Sequence, residues 1–132
     1  MSREIMFYAI RQGEEFKWCD DLGDYNGLML NYYCGGSALA EFIGYGDSIK
    51  KMDELKLREL LDDLQVALKD TKRDKEVADA LVANVTLESY GDTIEVVQEV
   101  RDRMDSLEST ISFIKVLLDV SRFNDIYVVD SY

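Results

Sequence analysis

The sequence predicts an α+β domain in which a small, mainly antiparallel sheet packs against two or three long helices. Three observations support this fold class. Residues 1–51 combine strand-like runs with glycines and aromatic residues, residues 52–122 show helical spacing with few breakers, and residues 123–132 return to a strand pattern. The 132 residues contain no proline and no evident repeat or linker, so a single domain is predicted over 1–132.

The first part of the chain opens with a predicted pair of strands. Residues 4–12 are apolar on both faces, which is typical of a central strand that is covered on both sides. After a turn at Gly13, residues 16–19 (FKWC) are predicted to return and pair with the first strand. Residues 20–27 are predicted to form a loop, because Asp, Asn and Gly favour turn conformations.

Two further elements complete this strand-rich part. Residues 28–34 (LMLNYYC) are predicted to form the third strand, with a short helix as the alternative. Residues 37–45 carry apolar side chains at helical spacing after Ser37, a residue type that often caps helices, and predict a short helix.

The helical part opens with an amphipathic helix capped by Asp53, with Met52 and Leu57 placed as a hydrophobic staple. Residues 69–74 (KDTKRD) are all polar, so a turn of an antiparallel helix pair is predicted there; one bent helix is the alternative. The buried stripe before this break should consist of leucines three or four residues apart, namely Leu57, Leu60, Leu61, Leu64 and Leu68.

The clearest helical signal covers residues 92–122. Asp92 followed by Glu95 resembles a capping box and predicts the start of the helix. A seam of apolar residues then alternates steps of three and four, and the stripe widens near the C-terminal end, which should be buried more deeply. The seam residues are Val97, Val100, Met104, Leu107, Ile111, Ile114 and Leu118. Residues 123–132 should then form a strand that pairs with the N-terminal one.

Charge narrows the classes of function. The chain carries 27 acidic and 15 basic residues, a net charge of −12, which disfavours direct contact with nucleic acid or with an anionic membrane surface. The N-terminal residues contain no apolar stretch of signal-peptide length, so a cytoplasmic protein is expected. In that compartment Cys19 and Cys34 are expected to be buried thiols, with a disulfide as the alternative.

Enzymatic and metal sites receive little support from the residue types. The chain has no histidine, so neither a histidine-activated nucleophile nor a common zinc ligand set can be assembled within it. Asp20, Asp21, Asp24 and Asn26 lie close together, but their spacing fails the EF-hand pattern for calcium. No catalytic residue, metal or cofactor is therefore predicted.

Three groups of residues are the candidate binding sites. Glu95, Glu99, Asp102 and Asp105 form an acidic strip on the long helix, which is either a solvated face or a surface for a basic partner. Trp18 and Tyr25 lie on or beside the predicted loop, where aromatic side chains often anchor interfaces. Tyr32, Tyr33 and Phe42 are the candidate lining of a pocket between sheet and helix.

Together these features favour a small, acidic, non-enzymatic protein that binds or inhibits a protein partner with a basic surface. A nucleic-acid mimic and a phage accessory or anti-defence protein are examples of this type. The alternative is a protein that binds or sequesters a small molecule in the predicted pocket. The apolar seam in residues 92–122 has two interpretations. It packs against the other helix of the same chain, or its first part forms the interface of a homodimer.

Overall fold

The computed structural model describes residues 3–34, 39, 42–43, 49–84 and 90–131. A four-stranded sheet packs against two long helices in these ranges, which confirms the predicted α+β fold. The elements are β1 (Glu4–Arg11), β2 (Trp18–Cys19), β3 (Asp24–Tyr25), β4 (Leu28–Cys34), β5 (Ile49–Lys51), α1 (Glu54–Ala83), α2 (Tyr90–Val120) and β6 (Asn124–Ser131).

The main sheet is built from both ends of the chain. Its strand order is β4–β1–β6–β5, and every neighbouring pair is antiparallel. The predicted central position of β1 and its pairing with the terminal strand are both confirmed. Residues 28–34 form a strand, as predicted, and pair with the other edge of β1 through an irregular register between Phe7 and Tyr8.

One face of this sheet carries the hydrophobic core. Ile5, Phe7 and Ala9 of β1 alternate with the side chains of the other face and share a buried cluster with Ile126 and Val128 of β6. The helices contribute the other large members of this cluster, and the predicted leucine stripe of α1 is confirmed. These members are Leu57, Leu60, Leu64, Leu107, Ile111, Ile114 and Leu117, with Leu61 and Leu68 partly buried against them.

The opposite face of the sheet is covered by the segment that follows β1. Its strands β2 and β3 pair with each other in a separate two-stranded sheet, so the predicted pairing of residues 16–19 with β1 is wrong. Both edges of β1 are already occupied by β4 and β6, and the segment instead packs through its side chains. Residues 20–27 are also not all loop, because they include β3.

The first long helix is continuous, and the predicted turn at residues 69–74 is wrong. The alternative of one bent helix is correct in that a single helix, α1, runs through this polar stretch without a break. Within the stretch only Thr71 is buried, and its hydroxyl donates to the Ala67 carbonyl at 2.8 Å. A buried polar residue is thereby satisfied inside the helix. The Asp53 cap is confirmed, because its carboxylate accepts from the Lys56 N–H at 2.9 Å.

The second long helix includes the predicted seam but begins earlier than predicted. Tyr90 and Gly91 are already helical, so Asp92 lies in the first turn and the capping box at Asp92 is wrong. A carboxylate in the first turn still interacts favourably with the helix dipole. More of the seam is buried in its C-terminal half, as predicted, where Leu107, Ile111 and Ile114 are buried. The trend is not uniform, because Val97 at the start is also buried and Leu118 at the end is half-buried.

The two long helices pack against each other. They must run antiparallel, because only residues 84–89 connect them.

Of the predicted short helix at 37–45, the structure describes Leu39 and Phe42, which are helical, and Ile43. The Ile43 N–H donates to the Leu39 carbonyl at 3.1 Å. The other residues of that prediction lie outside the described ranges.

An ion pair between the two chain ends closes the fold. The guanidinium of Arg3 donates two hydrogen bonds to the Asp130 carboxylate, at 2.9 and 2.6 Å, and a third to the Ile43 carbonyl at 3.0 Å. Both charged side chains are more than nine-tenths buried. Arg3 therefore joins the start of β1, the end of β6 and the segment around Ile43.

Removal of one partner of this buried ion pair should lower the stability of the protein strongly. We expect Asp130→Asn to lower the free energy of unfolding by about 3 kcal/mol, because it removes the negative charge that faces the buried Arg3 guanidinium. Urea denaturation measures this change. Glu14→Gln, which removes the exposed partner of Arg11 at 3.9 Å, is the control and should change stability by about 0.5 kcal/mol or less. Equal effects of the two substitutions would contradict this role of Arg3.

Candidate functional site

A cluster of aromatic rings covers the second face of the sheet. The ring of Phe16 stacks between Tyr127 of β6 and Tyr25 of β3, with centroid distances of 4.6 and 4.8 Å. Tyr8 contacts both Phe16 and Tyr25, each at 5.4 Å. Trp18 contacts Tyr25 edge-on at 5.3 Å, and 53% of its surface remains exposed. Tyr25 is therefore a packing residue of this cluster, whereas Trp18 offers an accessible ring at its edge.

The acidic and amide side chains of residues 20–27 mainly support this hairpin. The Asp24 carboxylate accepts from the Tyr8 hydroxyl at 2.8 Å, and the Asp20 carboxylate accepts from the Trp18 indole at 3.1 Å. Asn26 bridges the Lys17 N–H and the Glu15 carbonyl. Gly23 allows the turn between β2 and β3 because its φ is +64°. Among the described residues no three potential ligand side chains converge on a metal site.

The acidic strip lies on an open surface of α2. Glu95, Glu99, Asp102 and Asp105 are all exposed. In the described part of the chain, the only polar contact of the strip is a hydrogen bond that Asp102 accepts from Gln98 at 2.8 Å. The opposite side of the helix is held by Val97, which is 5% exposed. The carboxylates are thus presented to solvent from a helix that is fixed on its other side.

The acidic strip and the aromatic hairpin do not form one surface. The helices pack on the face of the sheet that carries Phe7 and Val128, whereas Trp18 and Tyr25 belong to the cluster on the face that carries Tyr8. The helices and the hairpin therefore pack on opposite faces of the sheet. A single partner would have to reach around the sheet to contact both groups, so the strip and the hairpin are two separate candidate surfaces.

The three residues of the predicted pocket are also not brought together. Tyr33 packs against Phe7 and Phe113 on the helical side of β4, with ring centroids 6.2 and 5.8 Å away. Tyr32 points to the other face, where 43% of it is exposed and its hydroxyl donates to Glu4 at 2.8 Å. Phe42 lines a cavity elsewhere in the molecule.

Two cavities that are lined by described residues lie near the start of α1. Phe42 contributes to one of about 380 Å³, together with Ile43, Lys50, Met52, Lys56, Glu59, Leu60 and Asp63. The other, of about 500 Å³, lies between the start of α1 and the end of α2 and contains Lys51, Arg58, Lys115 and Arg122. Its carboxylates include Glu54, Asp119 and Asp125, which pair with Arg58, Arg122 and Lys51 respectively.

The second cavity was not predicted from the sequence. Its residues come from two segments more than fifty positions apart. Sequence analysis could have placed these segments together only by predicting that the helix from Asp53 pairs in antiparallel with the helix that ends near residue 120. Cys19 is a free, half-buried thiol, while the side chain of Cys34 lies outside the described part.

Comparisons with known proteins do not place this chain in a family. No family model matches the chain, and neither the curated proteins nor the solved structures contain a significant match. Within the described ranges, neither α1 nor α2 has an apolar stretch long enough to cross a membrane.

Burial of two tyrosines should make stability depend on alkaline pH. Desolvation, followed by the hydrogen bond to Asp24, raises the pKa of Tyr8 to about 12, and desolvation raises the pKa of Tyr33 to about 12. Both pKa values exceed the ordinary value of 10, so the folded state keeps protons that the unfolded state has lost. The free energy of unfolding should therefore fall as the pH rises from about 10 towards 12.

The urea midpoint measured across this pH range tests the expectation. Tyr8→Phe combined with Tyr33→Phe retains both rings and should flatten the dependence of the midpoint on pH. A double variant whose midpoint falls as steeply as that of the unsubstituted chain would contradict the assignment of this dependence to these two hydroxyls.

Proposed function

We propose that the protein acts without catalysis, by binding a protein partner with a basic surface through the acidic strip of α2. The observation that carries this proposal is the placement of Glu95, Glu99, Asp102 and Asp105 on an exposed helix surface with no ion pair in the described part of the chain. Neighbouring carboxylates three and four residues apart repel one another, and basic groups on a partner would relieve that repulsion.

The spacing of the strip also supports imitation of a nucleic acid. Four carboxylates follow one another over eleven residues of helix, which is roughly one negative charge per 5 Å at the ordinary helical rise. One strand of duplex DNA carries a charge about every 3.4 Å. A groove that binds phosphates would therefore meet a comparable row of charges. An inhibitory role towards a nucleic-acid-handling protein, of the kind that phage accessory and anti-defence proteins perform, follows from this likeness.

Charge reversal tests the role of the strip. The triple variant Glu95→Lys, Glu99→Lys and Asp102→Lys should lose capture of its partner from lysate of the cells that produce the protein, with binding weakened by more than about 100-fold. The matched control reverses Glu15, Asp62 and Glu108, which are exposed elsewhere on the protein. Each variant has a net charge of −6, so a difference between them depends on position and not on total charge.

Mass spectrometry identifies the captured protein, and circular dichroism verifies that both variants remain folded. Duplex DNA should compete for the captured partner if the strip imitates phosphates. Equal capture by the two triple variants would reject the strip as the binding surface.

Small-molecule binding is the second candidate function, and the cavity around Phe42 favours it. Its volume of about 380 Å³ falls in the range of ligand pockets, and its lining joins apolar side chains to two lysines and two carboxylates. Trp18 and Tyr25, on the other face of the sheet, have no part in this cavity. We place the protein in the cytoplasm under either proposal.

Native mass spectrometry of the protein purified from its own cells separates the two functions. A retained small molecule that Phe42→Ala releases supports the cavity. A retained polypeptide without a small molecule supports the interface, because the acidic strip then holds the bound component.

A further inference from the structure

The face of the helix pair that packs on the sheet continues past the sheet. On each helix this face consists of residues spaced alternately four and three positions apart, and we call these residues the line of that helix. On α1 the line is Leu60, Leu64, Ala67, Thr71, Asp74, Ala78 and Leu81, and on α2 it is Val96, Val100, Arg103, Leu107, Thr110, Ile114 and Leu117. Residues at these spacings share one side of a helix, so each line marks a continuous surface.

Only one end of each line is covered by the sheet. The core cluster that contains the strand residues has no described member beyond Leu68 on α1 or before Leu107 on α2. We call residues 69–83 of α1 together with residues 90–106 of α2 the arm. At the ordinary helical rise the arm extends roughly 20 Å beyond the core.

The arm is held together by a few small or medium side chains. Ala78 and Val97, which are 2% and 5% exposed, are buried within it, as is Thr71. Leu81 and Val96 continue the two lines, yet 51% and 46% of their surfaces are exposed. Val77, one turn before Leu81, is also exposed. Because the helices run antiparallel and are joined by residues 84–89, these three partly exposed side chains belong to the same end of the pair and together offer an apolar surface.

Carboxylates border this apolar surface. Asp74 lies one turn before Ala78 on the same line, and Glu95 and Glu99 flank Val96 on α2, where they belong to the acidic strip. Two basic residues lie near it: Arg103 is the single basic residue on the two lines, and the exposed Arg73 lies one turn before Val77. The surface is thus apolar at its centre and mainly acidic at its border.

We propose that the arm binds a basic amphipathic helix of the partner protein, an inference that rests on the proposed function and specifies its ligand class. The apolar side of such a helix would pack on Val77, Leu81 and Val96, while its lysines or arginines meet the carboxylates. A second copy of this chain fits less well, because it carries the same acids on the same surface and a net charge of −12.

A synthetic peptide is the probe. It consists of leucine and lysine over about 18 residues, with leucines placed on one helical face. Its control is a scrambled peptide of the same composition with no apolar face. We expect the amphipathic peptide to bind more tightly at physiological salt, and Leu81→Ser combined with Val96→Ser to weaken its binding about tenfold. Isothermal titration calorimetry measures both affinities.

The chain offers a matched control for this pair of substitutions. Leu55 on α1 and Val116 on α2 are also exposed and lie outside the arm. The variant Leu55→Ser with Val116→Ser removes the same two side-chain types and should bind the amphipathic peptide as the unsubstituted chain does. Circular dichroism verifies that both double variants are folded.

Several results would overturn the inference. Equal affinity for the two peptides, no binding of either, or unchanged affinity after Leu81→Ser and Val96→Ser would each reject a basic helix on the arm. A dimer that these substitutions dissociate in sedimentation analysis would show that a second copy occupies the surface. If partner capture still requires Glu95, Glu99 and Asp102 in any of these cases, the proposed function stands and only the helix ligand is rejected.

Discussion

The need to cover β1 completely is the constraint on which this fold depends. Its side chains are apolar on both faces, so a stable strand needs partners along both edges and cover on both sides. The two edges are occupied by β4 and by β6 from the far end of the chain. The helices cover the face of Phe7, and the hairpin of β2 and β3 covers the face of Tyr8. The buried contact of Arg3 with Asp130 then fixes the two chain ends beside each other.

This solution leaves a mismatch in length between the layers. Strands of up to 8 residues span roughly 27 Å, whereas helices of 30 and 31 residues span roughly 45 Å. The helix pair therefore has to extend beyond the core that the sheet provides. Past that point the buried apolar residues are small or medium-sized, such as Ala78 and Val97, whereas larger apolar side chains such as Leu81 are exposed. The accessible surfaces of α2 follow from this difference in length.

Sequence reasoning succeeded where one element's own pattern determined its structure. The two apolar faces of β1 and the seam through Leu107 predicted their burial, because local spacing settles which side chains share a face. It failed at residues 69–74, where one buried threonine with an internal hydrogen bond lets a polar stretch remain helical. It also failed for residues 16–19, because their attachment through Phe16 depends on which edges of β1 are free. The separation of Trp18 from Glu95 required the same knowledge of the assembled sheet.

The same assembly explains how α2 can tolerate its acidic strip. Carboxylates at neighbouring turns repel one another and disfavour an isolated helix. Packing of Val97, Val100 and Met104 on the other side offsets that repulsion and keeps the helix formed. The carboxylates are consequently held in a fixed row before any partner arrives, so less conformational entropy is lost on binding than from a flexible acidic segment. An acidic tail of equal charge would lack this advantage, which is why the row on α2, and not the net charge of −12, is the feature suited to specific recognition.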